Sequence, residues 1–330
     1  MKILSGEEYN ALVSIDDCIA AVEEAFRQHG EGTLHAGLLS THVHGGAFHI
    51  KTSTYGRSCP DGTPTFSRPV RRSPIGADGK SADRPIEDRR SVRATYFAAK
   101  LNANFPGNAP LPTIQGVLVL FDATNGVPLA VIDSIEVTKQ RTAAASAVAA
   151  KYLARRGSRT LTIYGCGQQA AAQLAAIRSV LPIERVNVID ADRSRAEAFA
   201  KEHDAHVGAE PADVIVTCTT SRTAFLRDAA PGTFIAAVGA DNPEKSEIDP
   251  ELMGRAVVVA DVLDQCAAIG DLRAAIAAGT MTRDGVRAEL GAIVAARAEG
   301  RRNDAEIIIF DSTGAGFQDA AAAVMAYERA

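Results

Sequence analysis

Thr160-Leu-Thr-Ile-Tyr-Gly165-Cys-Gly167-Gln-Gln-Ala170 is a short apolar strand that runs into Gly-x-Gly-x-x-Ala and then into an alanine-rich helix. This order is typical of the dinucleotide-binding turn of a Rossmann unit. Gly165 would permit the tight turn, and Gly167 would let the backbone approach a pyrophosphate. Ala170 would keep the helix close to the sheet, with its N-terminus facing the anion. The stretch therefore predicts a nicotinamide dinucleotide site.

A second strand, Val186-Asn-Val-Ile-Asp190, ends in a carboxylate about twenty residues further on, where a ribose hydroxyl would lie. Asp190 would repel the 2′-phosphate of NADP and accept hydrogen bonds from the diol of NAD, so NAD is favoured over NADP. Arg193 and Arg195 follow, but Asp192 stands between them and the turn. We interpret both arginines as solvated helix charges.

Composition bounds the class of protein. The chain has 330 residues, 46% of them hydrophobic and 23% charged, which predicts two domains of an ordinary globular enzyme. A net charge of −5 gives no reason to expect nucleic acid or an anionic membrane as a partner. The first residues lack the apolar core of a signal peptide, and no apolar run is long enough to cross a bilayer, so we expect a cytoplasmic protein. Five cysteines without a Cys-x-x-Cys motif predict reduced thiols.

The pattern changes along the chain. Residues 14–30 have helical spacing, with Ser14 as a cap. Strand-like segments follow near 47–50, 95–101, 116–122 and 128–132, and Asn125-Gly126 predicts a hairpin turn before the last of these. From residue 136 the chain alternates helix and strand to about residue 304. The fold class expected is α/β, a Rossmann domain with a second, α+β domain.

Residues 57–94 form an atypical insertion, in which prolines alternate with basic residues and aliphatic residues are scarce. Such a segment cannot bury enough apolar surface to order itself, so we predict that it is mobile. Two interpretations stay open, a lid over the site and disorder without function.

Several stretches in this order and spacing resemble the ornithine cyclodeaminase and mu-crystallin family. They are Leu111-Pro-Thr-Ile-Gln-Gly116, Arg141-Thr-Ala-Ala-Ala-Ser, Gly165-Cys-Gly-Gln-Gln-Ala170, Val238-Gly-Ala-Asp241 and Asp311-Ser-Thr-Gly314. The resemblance covers nearly the whole chain except the insertion, where the family has a much shorter connection.

The resemblance implies a homodimeric oxidoreductase that binds a small amino or imino acid between two domains. It implies a Rossmann NAD-binding domain at 136–304, and a substrate-binding and dimerisation domain formed by 1–135 with 305–330. The final helix should then pack with residues 1–135. The residues expected to bind the cofactor are Thr142, Gly165, Gly167, Gln168, Gln169, Ala170, Asp190, Val238 and Ser312.

Two basic residues match the family's substrate ligands. Lys100 lies in Tyr96-Phe-Ala-Ala-Lys-Leu-Asn, matching the strand lysine whose ammonium faces the substrate. It would hold the α-carboxylate and stabilise charge at the reacting carbon. Arg141 would bind the same carboxylate, since a guanidinium donates two parallel hydrogen bonds and stays charged.

Asp241 is the predicted acid or base, because it follows an apolar strand at the edge where doubly wound folds bind ligands. The family's usual arginine in the first domain is missing, as no arginine lies between Arg27 and Arg57. Lys51 or His49, on one strand face, could replace it. His42, His44 and His49 lack a flanking cysteine or acid, so no metal site is expected.

The leading functional hypothesis is an enzyme of the ornithine cyclodeaminase type, which would convert L-ornithine to L-proline and ammonia through an imine. The alternatives are an NAD(P)H-dependent reductase of a cyclic ketimine such as pyrroline-2-carboxylate and an alanine-dehydrogenase-like enzyme. A diamino-acid synthase and a ligand-binding protein like mu-crystallin also stay open.

Overall fold

The computed structural model describes residues 1–34, 36–43, 46–56, 94–105, 110–112 and 114–330. Predictions for 57–93, for Thr113 and for His44 lie outside the described residues. Ala94, which ended the predicted insertion, already belongs to a strand.

Helices and strands alternate through most of the described chain. The helices are α1 (Gly6–Leu12), α2 (Ile15–Gly30), α3 (Ser134–Leu153), α4 (Gln168–Val180), α5 (Arg193–His203), α6 (Pro250–Arg255), α7 (Leu263–Ile269), α8 (Asp271–Ala278), α9 (Leu290–Val294) and α10 (Gly316–Arg329). The strands are β1 (Lys2–Leu4), β2 (Ala36–Val43), β3 (Gly46–Gly56), β4 (Ala94–Asn104), β5 (Ile114–Asp122), β6 (Pro128–Asp133), β7 (Thr160–Tyr164), β8 (Arg185–Ile189), β9 (His206–Val207), β10 (Val214–Thr217), β11 (Phe234–Ala237), β12 (Val257–Ala260), β13 (Ala288–Glu289) and β14 (Ile308–Asp311).

The first sheet has the strand order β1-β6-β5-β4-β3-β2 and is antiparallel except where β1 pairs with β6. The predicted strand segments and the turn at Asn125-Gly126 are confirmed, since Gly126 has φ +78° between β5 and β6. Register in this sheet places Lys51 of β3 directly opposite Lys100 of β4. Paired residues project from the same face of an antiparallel sheet, so both lysine side chains leave the same face.

The second sheet has the order β13-β12-β14-β11-β10-β7-β8-β9, with every pairing parallel. The central strands β10, β11 and β14 are buried along their whole length. This matches the prediction from their uninterrupted apolar runs, because strands covered on both faces lack alternation. The expected Rossmann sheet is therefore present.

The strand β14 corrects the predicted boundary at 304/305. The first domain is expected to include residues 305–330, but β14 lies between β11 and β12 of the parallel sheet. An apolar strand that pairs on both sides is more stable inside the parallel sheet than at the edge of the antiparallel one. The chain therefore leaves the second sheet only after Asp311.

The last helix covers the face of the first sheet that carries the two lysines. It packs against β3, β4 and α2, and Phe317 meets Phe26 of α2 edge to face with ring centroids 5.2 Å apart. Ser14 caps α2 as predicted, accepting a hydrogen bond from the amide of Asp17. Within the described ranges, no helix is long and apolar enough to cross a membrane.

Candidate functional site

The carboxyl ends of β7, β10, β11 and β14 meet at one edge of the parallel sheet, the edge where doubly wound folds bind ligands. Gly165 follows β7 with φ +96°, and a Cβ there would lie 2.9 Å from the carbonyl oxygen of Cys218. Only glycine fits that close approach of two loops.

The turn fits the pyrophosphate of a dinucleotide. A Cβ at Gly167 would meet no atom of the described part of the chain within 4 Å, so open space faces the backbone there. Gly167 is also the N-cap of α4 and contributes no side-chain hydrogen bond to it. The amides of Gln168 and Gln169 at the start of α4 are thus left to an anion, whereas the amide of Ala170 donates to the carbonyl of Gly167 at 3.1 Å. Ala170 is fully buried, whereas Oε1 of Gln169 is buried and has no hydrogen-bond partner among the residues that the structure describes.

Asp190 closes back onto the glycine turn. One carboxylate oxygen accepts a hydrogen bond from the amide of Cys166 at 2.7 Å, and the other accepts one from the amide of Asp192 at 2.9 Å. Arg195 leans toward it, with Nη1 3.8 Å from Oδ1, while Arg193 pairs with Glu197 in solvent. The side chains of Arg193 and Arg195 are 84% and 56% exposed, which agrees with their interpretation as solvated helix charges.

Three buried side chains from distant parts of the chain form an ion cluster. Lys100 Nζ lies 2.7 Å from Asp319 Oδ1, and Arg141 Nε lies 2.9 Å from the same oxygen. Gln318 Oε1 accepts a hydrogen bond from Arg141 Nη1 at 2.9 Å. The strand β4, the helix α3 and the helix α10 thus bring two cations to one carboxylate.

This environment changes the protonation of the lysine. Burial lowers the pKa of Lys100 to about 7, and the attraction of Asp319 only partly opposes the effect. Arg141 and Lys51 lower the pKa further by repulsion. Because the value lies near neutrality, Lys100 can both hold and release a proton under ordinary conditions.

Lys51 reaches from the first sheet to the loop that follows β14. Its Nζ donates hydrogen bonds to the carbonyl oxygens of Thr313 at 2.9 Å and Gly314 at 2.6 Å. The expectation that His49 and Lys51 share a strand face is confirmed by their register. His49 lies closer to the sheet end, with Nδ1 2.8 Å from Ser40 Oγ.

The buried carboxylate of Asp261 holds this loop in place. It accepts hydrogen bonds from the hydroxyl of Ser312 at 2.9 Å and from the amide of Gly314 at 2.7 Å. The hydroxyl of Ser312 therefore donates inward to Asp261 and supports the loop, and the role of Ser312 toward the cofactor stays a prediction.

Asp241 lies beyond β11 and is paired with Lys245, whose Nζ is 2.8 Å from Oδ1. Burial acts to raise the pKa of Asp241, but Lys245, Lys51 and His49 offset this, and the pKa lies below the ordinary value. Its side chain is 41% exposed. The expected acid or base is thus a stable carboxylate already in contact with an ammonium.

Two other predicted cofactor ligands occupy supporting positions. The hydroxyl of Thr142 donates to the carbonyl of Thr138 in its own helix at 2.7 Å. Val238 follows β11, and its amide donates to the carbonyl of Thr217 at 3.0 Å. Both donors therefore bind backbone carbonyl groups of the protein itself, and the roles of Thr142 and Val238 toward the cofactor stay predictions.

Sequence reasoning missed Asp319, Asp261 and Lys245. Asp319 had a visible signal, since a single acid in the apolar stretch Phe317-Gln-Asp-Ala-Ala-Ala-Ala-Val324 needs a buried partner. Asp261 ends the strand Val257–Ala260 in the same way as Asp190 ends its own. Lys245 had no comparable signal.

A cavity of about 960 Å³ lies elsewhere, at the amino edge of the parallel sheet, and Arg155, Asp213 and Arg301 are among its lining residues. Open parallel sheets bind ligands at the opposite edge. The glycine turn and the ion cluster therefore define the candidate site.

Comparison with known proteins places these features in a family. The model of the ornithine cyclodeaminase/mu-crystallin family matches residues 86–330. An alanine dehydrogenase from Archaeoglobus fulgidus is 33% identical over 342 residues, covering 99% of this chain and 94% of the relative. An iminosuccinate reductase from Paracoccus denitrificans is 39% identical over 280 residues, covering 80% of this chain and 86% of the relative.

A solved structure is similar over the full length. An archaeal alanine dehydrogenase dimer with bound NAD superposes with a TM-score of 0.86 at 32% identity, covering 100% of this chain and 95% of the other.

Proposed function

The chain belongs to the ornithine cyclodeaminase/mu-crystallin family, and on that premise we propose that it is an NAD-dependent oxidoreductase acting at the α-carbon of a small amino or imino acid. The observation that carries the proposal is the convergence of Lys100 and Arg141 on Asp319. Two buried cations that share one acid leave a positive site suited to an α-carboxylate.

NAD is the proposed cofactor. The open space in front of Gly167 and the uncapped start of α4 support a pyrophosphate at the turn. Asp190 supports NAD over NADP, since a carboxylate in this place repels a 2′-phosphate. The similar dehydrogenase structure contains NAD. Bound there, the cofactor would accept or supply a hydride at the substrate's α-carbon.

The residues of the ion cluster then have distinct tasks. Arg141 and Lys100 bind the α-carboxylate, and Asp319 fixes both cations in position. With its pKa at about 7, Lys100 Nζ can also exchange a proton with the substrate nitrogen. The low exposure of Lys100 and Arg141, at 3% and 5%, keeps water from the imine.

The geometry favours net imine reduction and its reversal over cyclodeamination. In the reductive direction, a 2-oxo acid first condenses with ammonia and loses water to form an imine. Reduction of that imine to the amino acid would need a hydride at the α-carbon, which NADH held at the glycine turn would supply, and a proton at the nitrogen, which Lys100 Nζ can provide. A cyclodeaminase must instead bind the terminal ammonium of ornithine. Asp241 is the carboxylate predicted to bind this ammonium, but it is already paired with Lys245.

The test follows NADH oxidation with pyruvate and ammonium and with pyrroline-2-carboxylate, and measures product amino acid by chromatography. We expect turnover that Lys100→Met lowers by about 100-fold or more, because a charged group at the reacting centre is lost. Lys151→Met removes a lysine paired with Glu23 outside the site and is the control. Absence of both turnover and NADH binding would overturn the proposal.

Ornithine cyclodeamination is the second candidate, because Asp241 follows β11 at the ligand-binding edge. With catalytic NAD and L-ornithine it predicts proline and ammonia in equal amounts without accumulation of NADH. Asp241→Asn should then abolish proline formation.

We also propose a homodimer formed through the first sheet. The face opposite α10 carries the exposed apolar side chains Ile3, Leu39, Phe48, Leu101 and Val117. A contiguous apolar face of this kind marks an interface, and the similar solved dehydrogenase is a dimer. Light scattering should give a dimer that Leu101→Glu dissociates, whereas Val207→Glu, at an exposed position of the other sheet, should leave it intact.

A further inference from the structure

The ammonium of Lys51 uses only two of its three hydrogen-bond donors within the described residues. An ammonium has three N–H donors, and two of these go to the carbonyl oxygens of Thr313 and Gly314. These contacts fix Nζ on the same sheet face as Lys100. Lys51 Nζ has no third acceptor among the described residues, so one N–H remains for a ligand.

The other cations of the site each have an acid. Lys100 and Arg141 share Asp319, and Lys245 has Asp241. Lys51 alone among these four has no carboxylate within 4 Å in the part of the chain that the structure describes. Carbonyl oxygens carry only partial charge, and the acids that attract Lys51 do not contact it, so its positive charge is compensated only in part.

The acids that attract Lys51 are Asp319, Asp241 and Asp261, and each has other partners. Asp319 is shared by Lys100 and Arg141. Asp241 is held by Lys245 at 2.8 Å. Asp261 accepts hydrogen bonds from Ser312 and Gly314 within the loop itself. Burial and the repulsion of Arg141 lower the pKa of Lys51, and an anion in contact would counter both effects.

From this geometry we infer that the substrate carries a second carboxylate, bound by Lys51, so that the enzyme prefers short 2-oxo or 2-imino dicarboxylates and the matching acidic amino acids. The inference rests on the proposed function. The α-carboxylate occupies Arg141 and Lys100, and the side-chain carboxylate receives the remaining N–H of Lys51. A substrate with a cationic side chain would be repelled by Lys51, which acts on Asp241 together with Lys245.

The alternative role for Lys51 is a third ligand of the α-carboxylate, in place of the missing arginine. The two roles predict different specificity. A ligand of the α-carboxylate affects mono- and dicarboxylates equally, whereas a ligand of the side-chain carboxylate affects dicarboxylates selectively.

The experiment compares oxaloacetate with pyruvate as acceptors, each with ammonium and NADH. The two differ by one carboxylate. L-Aspartate and L-alanine are quantified separately, so that loss of carbon dioxide from oxaloacetate is not counted. We expect kcat/KM for oxaloacetate to exceed that for pyruvate by about 30-fold or more, since a charge-assisted hydrogen bond discriminates on this scale.

Lys51→Met should reduce the oxaloacetate-to-pyruvate ratio of kcat/KM by about 30-fold, whatever the absolute rates. Lys151→Met is the matched control and should keep the ratio. An unchanged ratio in Lys51→Met, with both rates lowered together, would assign Lys51 to the α-carboxylate and overturn the inference. Turnover of pyruvate but not oxaloacetate by the wild type would also overturn it while leaving the proposed function intact.

A measurement on the wild type covers the case in which Lys51→Met does not fold. Malonate and succinate should inhibit competitively against the 2-oxo acid at concentrations about tenfold or more below propionate. Equal inhibition by the three would contradict a second carboxylate site.

Discussion

Gly314 and Arg141 are in such close contact that a Cβ on the glycine would lie 2.3 Å from Nη1 of the guanidinium. Gly314 also has φ +78°, in the left-handed region. The loop after β14 therefore sets the position of an arginine that belongs to α3. Glycine is required both for the backbone conformation and for the space.

Gly314→Ala is expected to displace the guanidinium and to lower kcat/KM by about 100-fold, as a shift of a substrate ligand by about 1 Å does. The control is Gly126→Ala, which has the same φ of +78° but no atom within 4 Å of the added Cβ. Both variants carry the same backbone strain of about 1 kcal/mol. Equal activities in steady-state assays would show that strain, not the contact with Arg141, explains the effect.

Gly167→Ala is expected to weaken NADH binding by about tenfold or more, because the methyl group fills the space next to the pyrophosphate. Folding should change little, since the Cβ meets no protein atom. Fluorescence titration gives the Kd and urea denaturation gives the free energy of unfolding. Gly157→Ala, which also adds a Cβ in open space away from the turn, should leave the Kd unchanged. Unaltered NADH binding in Gly167→Ala would place the cofactor elsewhere.

The pH profile of kcat/KM should fall as pH rises through about 7, because Lys100 loses its proton there and no longer binds an anion. Asp319 acts to raise the pKa of Lys100, so Asp319→Asn should move this limb to lower pH. Asp319→Glu keeps the charge and should keep the limb near that of the wild type. A profile that all three proteins share would exclude Lys100 as the titrating group.

Asp319→Ala should lower the free energy of unfolding by about 3–5 kcal/mol, since it leaves two buried cations without their acid. Glu197→Ala removes the acid of the exposed pair with Arg193 and should cost no more than about 0.5 kcal/mol. Urea denaturation at neutral pH measures both. A small effect at Asp319 would mean that Lys100 becomes neutral when its partner is lost.

Local patterns gave the most reliable sequence predictions. The glycine turn, the apolar parallel strands and the turn at Gly126 depend on neighbouring residues, and each lies where expected. The boundary at 304/305 failed because β14 is as apolar as any strand, and only its pairing with β11 and β12 shows to which sheet it belongs.

Only the part of the candidate site that depends on local sequence motifs was predicted. Lys100 and Arg141 stand in recognisable motifs, but the acid that joins them lies 219 residues from Lys100 along the chain. Likewise, Lys51 meets Thr313 and Gly314 across separations of 262 and 263 residues. Contacts over such distances depend on the packing of α10 against β3 and β4, which no short motif encodes. The ion pair of Asp241 with Lys245 is local, yet it depends on the conformation of the loop after β11.

The position of Asp319 in α10 also has a consequence for biosynthesis. When the ribosome has completed β14, the emerging chain contains the glycine turn, Lys100, Arg141 and Lys51, and nascent chains of this length can already begin to fold. The carboxylate that unites the two buried cations is translated eight residues after Asp311, near the end of this sequence. On the proposed assignment, the cluster that binds the substrate carboxylate forms only when α10 docks, after every residue of the glycine turn has been synthesised.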